Sequence, residues 1–308
     1  MPSQARTPPI VAVVGPTAAG KSELAVDLAL ALGGEVVSGD SMQVYRGMDI
    51  GTAKLSVAER RGVRHHLLDR LDVTQPATVA EFQGWAREAI TDCRTRGVVP
   101  VLAGGSALYL RAVLDAFEFP GTDSVIRARL QSELAAQGAA ALHERLRTLD
   151  PAAASVISQH NGRRIIRALE VIAITGQPFQ ARLPDHVYAF DRALQIGVTV
   201  PREVLDERIE ARVAQMWQAG FVDEVRRLED EGLRDGLTAS RALGYRQVLS
   251  HLAGDCTEDE AKADTVSGTR RFARRQGMWF RRDPRITWLA AGEADPVGRA
   301  LDAVRSIG

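Results

Sequence analysis

Gly15-Pro16-Thr17-Ala18-Ala19-Gly20-Lys21-Ser22 follows the apolar run Ile10-Val11-Ala12-Val13-Val14 directly and opens a helical stretch. In a G-x-x-x-x-G-K-[ST] loop the glycines let successive backbone N–H groups converge on a diphosphate. The lysine supplies the counter-charge, and the serine hydroxyl can sit on a magnesium ion. Strand, loop and helix stand in the required order, so this segment reads as a phosphate-binding loop, with Ser22 on the metal side and Mg2+ as the implied cofactor. Lys21 is one of only three lysines, with Lys54 and Lys262, in a chain that otherwise uses arginine for positive charge. Asp40 falls at the carboxyl end of what reads as the neighbouring strand. A carboxylate there can take a proton from an incoming nucleophile, serve as an outer ligand of the metal, or cap the next turn. Arg208 and Arg212 lie four apart on the helix that Pro201 begins, and so share a face. Two readings stand for them: a solvated helix surface, or a clamp over leaving phosphate, for which the guanidinium fork is suited.

The elements that position these groups follow from periodicity. Ser22 to Leu32 has helical spacing and ends at Gly33-Gly34, after which Glu35 to Asp40 reads as a short strand. A helical segment from Val79 to Arg96 leads into a strand at Val98 to Leu102 that stops at Gly104-Gly105-Ser106. Strand and helix alternating in this way imply an α/β fold, a parallel sheet flanked by helices with ligands at the carboxyl ends of its strands. From Thr122 to Arg182 the pattern is helical only, and strand character returns at Leu194 to Thr199. Residues 122–182 therefore read as an all-helical insertion into a catalytic core made of 1–121 and 183–308. Leu205, Ile209, Val213 and Met216 form an inward stripe on the helix after Pro201, and Thr257-Glu258-Asp259-Glu260 is a capping box opening a long helix.

With 308 residues, 45% of them apolar, the chain can bury a sizeable core. No apolar run approaches the length of about 20 that a spanning helix needs, and the first nine residues have no signal-peptide core, so a cytoplasmic location without membrane contact is expected. Cys93 and Cys256 stand apart with no Cys-x-x-Cys spacing, and His65-His66 lacks further ligands at metal spacing, so neither a disulfide framework nor a zinc module is read. The 39 basic residues balance 39 acidic ones, but Arg270 to Arg285 holds seven arginines against Asp283 alone, with Phe272, Trp279 and Phe280 among them. Arg163, Arg164 and Arg167 form a second basic group. Arginines beside aromatics suit phosphate contacts and base stacking, which points to nucleic acid without specifying a sequence.

Across nearly the whole chain these residues resemble the bacterial tRNA dimethylallyltransferases, also called tRNA isopentenyltransferases. The resemblance is carried by the loop 15–22, by Ser38 to Lys54 (SGDSMQVYRGMDIGTAK), by Gly104 to Tyr109, by Arg163 to Val171, by Gly244-Tyr245-Arg246-Gln247 and by Thr269 to Arg281. It implies a P-loop NTPase-like core and transfer of a dimethylallyl group from its diphosphate to the N6 amine of adenosine 37 of tRNA. The loop Gly15, Pro16, Thr17, Ala18, Ala19, Gly20, Lys21 and Ser22 would hold prenyl diphosphate, while Asp40 would be the base and Lys21 and Arg212 would act on the leaving group. Ser106 stands where a threonine is common in the family, which keeps the hydroxyl and loses a methyl. The residues implied to meet tRNA are Asp40, Ser41, Met42, Gln43, Ser106, Arg163, Arg164, Arg167, Arg241, Gly244, Tyr245, Arg246, Arg274, Arg275, Gln276, Trp279 and Arg281. The partners implied are the anticodon stem-loop of tRNA and dimethylallyl diphosphate, acting on a monomer with no obligate protein partner. The rivals are an adenylate isopentenyltransferase, a P-loop kinase of small molecules, and a nucleotide-dependent switch without catalysis. The first needs no RNA-binding insertion, and the last has no use for Asp40.

Overall fold

The computed structural model describes residues 6–117, 119–179 and 186–307. The chain divides into two compact units, one built from the chain up to Ala116 together with Tyr188 onward, the other spanning Phe117–Val187. The second unit thus reaches five residues beyond 122–182 at each end, and the return boundary at 182 and 183 lies outside the described residues.

The first unit opens with β1 (Ile10–Val14), α1 (Lys21–Leu32), β2 (Gly34–Ser38), β3 (His65–His66), α2 (Val79–Thr95), β4 (Val99–Gly104) and α3 (Ala107–Leu114). The second unit holds α4 (Ser124–Leu149), α5 (Pro151–Val156) and α6 (Gly162–Thr175). The first then resumes with β5 (Ala193–Thr199), α7 (Arg202–Gln218), α8 (Phe221–Asp230), α9 (Tyr245–Leu252), α10 (Glu258–Phe280), β6 (Ile286–Ala290) and α11 (Pro296–Ser306). The six strands form one parallel sheet in the order β3-β2-β4-β1-β5-β6. β1 is a continuous apolar run because both its faces are covered. Ile10, Ala12 and Val14 enter the core beneath α2, α3, α8 and α9, while Val11 and Val13 enter the one shared with α1 and α11.

One expectation changes here. β2 does not neighbour β1, because β4 lies between them. Asp40 still reaches the phosphate loop side because β4 ends in glycine: a Cβ on Gly104 would stand 2.6 Å from the Gly39 carbonyl, so only a bare backbone lets the 38–41 turn fold over that strand end. The Gly39 N–H completes the crossing by donating to the Ala103 carbonyl at 2.7 Å. β3 and β6 were not read from the sequence. β3 is two residues long, and β6 directly follows a helix of polar character.

The second unit has its own core of Leu130, Leu142, Leu146, Ile165 and Leu169. Glu170, a fully buried charge in this unit, accepts from Arg127 at 2.7 Å, Arg167 at 3.0 Å and the Asp123 N–H at 3.1 Å. Among the described residues no helix is long and apolar enough to cross a membrane.

Candidate active site

The loop after β1 is built on backbone that side chains resist. Gly15 has φ +146° and Gly20 φ +92°, and a Cβ on Gly15 would lie 2.7 Å from the Val198 carbonyl of β5. Ala18 also adopts a positive φ, 61°. α1 begins at Lys21, so its first N–H groups and dipole face the loop. The loop is tied to α10 by one amide: Gln276 accepts from the Thr17 N–H at 2.9 Å and donates to the Gly105 carbonyl at 2.9 Å.

Lys21 folds back to donate to the Pro16 carbonyl at 2.5 Å. Burial, and then the neighbouring Arg212, pull its pKa down to about 7, with Asp40 opposing the shift. Burial also lowers the pKa of Arg212, again against Asp40. No hydrogen bond or ion pair to the Arg212 side chain is found among the described residues. Two desolvated cations therefore act on each other, with the Asp40 carboxylate as the counter-charge that opposes both shifts. Such an arrangement costs free energy until an anion arrives.

Two cavities meet here, and Arg212 and Met216 are the residues that line both. The first, of about 790 Å³, carries Thr17, Asp40, Ser106, Arg212, Phe272 and Trp279 on its wall. The second, of about 1240 Å³, carries Gly20, Lys21, Ser22, Lys54, Arg208 and Arg212. Asp40 holds its own turn, accepting from the Met42 N–H at 2.8 Å through Oδ1. Ser106 caps α3 by position but makes no capping hydrogen bond, so its hydroxyl remains available to the first cavity. The Ser22 hydroxyl likewise has no side-chain partner among the described residues, and with diphosphate oxygens it would make the hard-oxygen donor set that magnesium takes.

The sequence-derived residues do not all reach the cavities. Asp40, Ser41, Met42, Ser106, Arg241, Gly244, Tyr245, Arg246, Arg275, Gln276 and Trp279 line the first. Gln43 does not: it accepts from Ser38 Oγ at 2.9 Å and donates to the Thr52 carbonyl at 3.3 Å. Tyr245 is fully buried and gives its hydroxyl to Glu224 at 2.6 Å. Gly244 works through its backbone, at φ +90° where a Cβ would press on Phe221 at 3.1 Å. Gln276 is only 6% exposed and its amide is committed to the loop strut. In the basic segment, Arg270 pairs with Glu210 of α7 at 2.8 Å. Arg285 lies between Asp115 at 2.8 Å and Asp283 at 2.7 Å, over the Tyr188 ring at 4.0 Å. Both are scaffold. Arg271, Arg274, Arg275, Arg281 and Arg282 remain exposed. In α6, Arg163 and Arg164 are exposed, whereas Arg167 spends its guanidinium on Glu170 and on the carbonyls of Gly121 and Pro120.

Sequence reasoning missed Glu224. Its buried carboxylate accepts from the N–H groups of Asp49 at 3.1 Å, Ile50 at 2.7 Å and Gly51 at 3.2 Å as well as from Tyr245. Gly51 must be glycine for this, since a Cβ would stand 2.3 Å from Phe221. Lys54 is the second staple of the same turn, 3% exposed, with Asp49 and Asp69 each at 2.6 Å. A lysine needed for its charge, as the composition suggests, serves scaffold here.

His66 does come together with Glu35 and Cys93, their ligand atoms lying within 4.8 Å of one another. Arg96 occupies the Glu35 carboxylate with both terminal nitrogens, at 2.8 and 2.7 Å. That pairing is the main cause holding Glu35 down to about 2, while burial and then Glu35 push the Cys93 thiol up to about 11. The cluster reads as an ion-pair network joining α2 to β2 and β3, with an inert thiol inside it.

Residues 43–283 match the family model described as IPP transferase. A tRNA dimethylallyltransferase of a Nocardioides species is 61% identical over 303 residues, covering 98% of this chain and 97% of that protein. The crystal structure of a full-length tRNA isopentenylpyrophosphate transferase from Bacillus halodurans is 40% identical, covers 97% of this chain and 95% of its own, and superposes with a TM-score of 0.69. A eukaryotic dimethylallyltransferase acting on tRNA superposes with a TM-score of 0.81 over 96% of this chain and 77% of its own, and at 23% identity it speaks for the fold alone.

Proposed function

The chain belongs to the IPP transferase family, and from that premise we propose that it transfers a dimethylallyl group from dimethylallyl diphosphate to the N6 amine of an adenosine in tRNA, position 37 beside the anticodon. The observation that carries this reading is the pair of half-buried, desolvated cations Lys21 and Arg212, with Asp40 as the anion acting on both, at a phosphate loop and at the meeting of two cavities. The diphosphate belongs against Lys21, Arg212 and Arg208 in the larger cavity, and the amine against Asp40 and Ser106 in the smaller. The N6 lone pair forms the bond to the allylic carbon as the bond from that carbon to the diphosphate oxygen breaks. The N6 proton passes to Asp40, and the negative charge growing on the diphosphate meets the two cations and the N–H groups at the start of α1. Ser22 is the residue that would hold magnesium, which when bound adds neutralisation of the leaving diphosphate.

A base stacked in an anticodon loop does not reach such a cavity, so the nucleotide is flipped out, at a cost of about a few kcal/mol of unstacking. Phe272 and Trp279, both exposed at the smaller cavity, offer the stacking that offsets it. Arg271, Arg274, Arg275, Arg281 and Arg282 on and just after α10 supply phosphate contacts, and Arg163 and Arg164 of α6 supply others. The test is incubation of the protein with labelled dimethylallyl diphosphate, with and without tRNA. Label in tRNA, with release of diphosphate, is expected. Label in free adenylate, or phosphate transfer from ATP in its place, overturns the reading.

A further inference from the structure

Of all the residues on the two cavity walls, Arg212 and Met216 alone belong to both, and they lie one turn apart on the same face of α7. The opposite wall changes over at the same level. Ile50 and Ala53 face the larger cavity while Gly51 and Thr52 face the smaller, on the turn that Glu224 holds rigid through three backbone hydrogen bonds. In the transfer proposed above, on which this inference rests, the reacting carbon lies between the leaving diphosphate and the amine, at the level where the two cavities meet. Arg212 is the polar half of that boundary. Its apolar half is a methionine.

We infer that Met216 sets which prenyl diphosphate is used, by narrowing the space beside the allylic chain at the boundary where it reacts. The geometry sorts it from its neighbours on the stripe. Ile209 is fully buried and Val213 only 2% exposed, so both are locked in packing, whereas Met216 is half-buried and packs on the core with one side only. An unbranched thioether with three rotatable bonds fills an irregular gap against an alkyl group and yields when shortened. Apolar walls discriminate by volume, about 10- to 200-fold for each methylene that does not fit. A methionine narrowing that boundary is therefore enough to disfavour the next isoprenologue, which carries five more carbons.

The experiment compares the wild type with Met216→Ala, Met216→Leu and Met216→Trp, measuring kcat/KM for dimethylallyl and geranyl diphosphate with tRNA as acceptor. Binding of inorganic diphosphate serves as the readout of an intact fold and loop. Met216→Ala is expected to raise the geranyl-to-dimethylallyl ratio by at least about tenfold, and Met216→Leu to keep the wild-type ratio. Met216→Trp should cut dimethylallyl transfer by about tenfold or more while diphosphate binding holds within about threefold. If Met216→Ala binds diphosphate normally and its ratio is unchanged, the inference is overturned while the transferase reading stands. A wild type that moves no label into tRNA overturns the transferase reading and the inference with it.

Discussion

Two lysines in this chain have opposite surroundings. Lys54 sits between Asp49 and Asp69 with the Tyr45 carbonyl as its third acceptor, so its charge is matched inside the protein. Lys21 has a carbonyl, a neighbouring arginine that pushes on it, and a carboxylate opposing that push. A matched buried cation is scaffold, since its partners already repay the desolvation. An unmatched one is kept for a ligand, and the fold bears its cost in the empty state. The same division separates Arg212, without a hydrogen-bond or ion-pair partner among the described residues, from Arg270, Arg285 and Arg167, each spent on internal acceptors.

The sharpest way to break this comparison is through the carboxylate that faces the unmatched pair. Asp40→Asn is expected to lower single-turnover prenyl transfer by about 10²- to 10⁴-fold. Dimethylallyl diphosphate affinity should stay within a few fold or tighten, because the substitution removes the one anion that competes for Lys21 and Arg212. Unchanged turnover would assign the proton to another acceptor. Next in size is the pair itself. Lys21→Ala and Arg212→Ala should each depress turnover by about 10²-fold or more, whereas Lys54→Met should act mainly on stability, lowering the melting temperature. An Arg212→Ala enzyme that lost only tRNA affinity would move that residue from the leaving group to the RNA.

The pH dependence follows from the Lys21 shift. With the loop empty its pKa is about 7, so the amine is largely neutral above that pH, and a bound polyanion restores the ammonium. Diphosphate binding should therefore take up a proton as pH rises above about 7, and affinity should weaken in that direction. Calorimetry in buffers of different ionisation enthalpy reads the proton count, and the uptake should vanish in Lys21→Met. The smallest expected effect concerns the exposed arginines. Charge removal at Arg274 and Arg275 should flatten the salt dependence of tRNA binding by up to about 0.9 unit of slope per lost phosphate contact, and Arg163→Ala should do so as well. Slopes identical to the wild type would mean that these side chains face solvent in the complex.

The parts of the site that depend on local chain chemistry were legible in the sequence: the loop 15–22, the helix it opens, the capping box at Thr257 and the inward stripe of α7. The parts made by distant segments were not. Gln276 meets Thr17 across 259 residues, and Glu224 meets Ile50 across 174. A short-range pattern carries no trace of such pairings. The strand order was misjudged for the same reason, since β4 enters between β1 and β2 only after the whole of α2 has passed. Glutamine and glutamate in amphipathic helices look like surface residues by spacing. Only a row of bare N–H groups at 49–51, on a turn with a glycine at its centre, could have hinted that an acceptor was required.

The amide of Gln276 makes α10 and the phosphate loop one mechanical piece. A slide of that helix along its axis would strain both of its bonds, to Thr17 and to Gly105. Arg274 and Arg275 immediately precede that amide, so their distance from the diphosphate is a fixed length of the fold. If those arginines hold tRNA phosphates as proposed, α10 would act as a ruler between the RNA backbone and the phosphate loop.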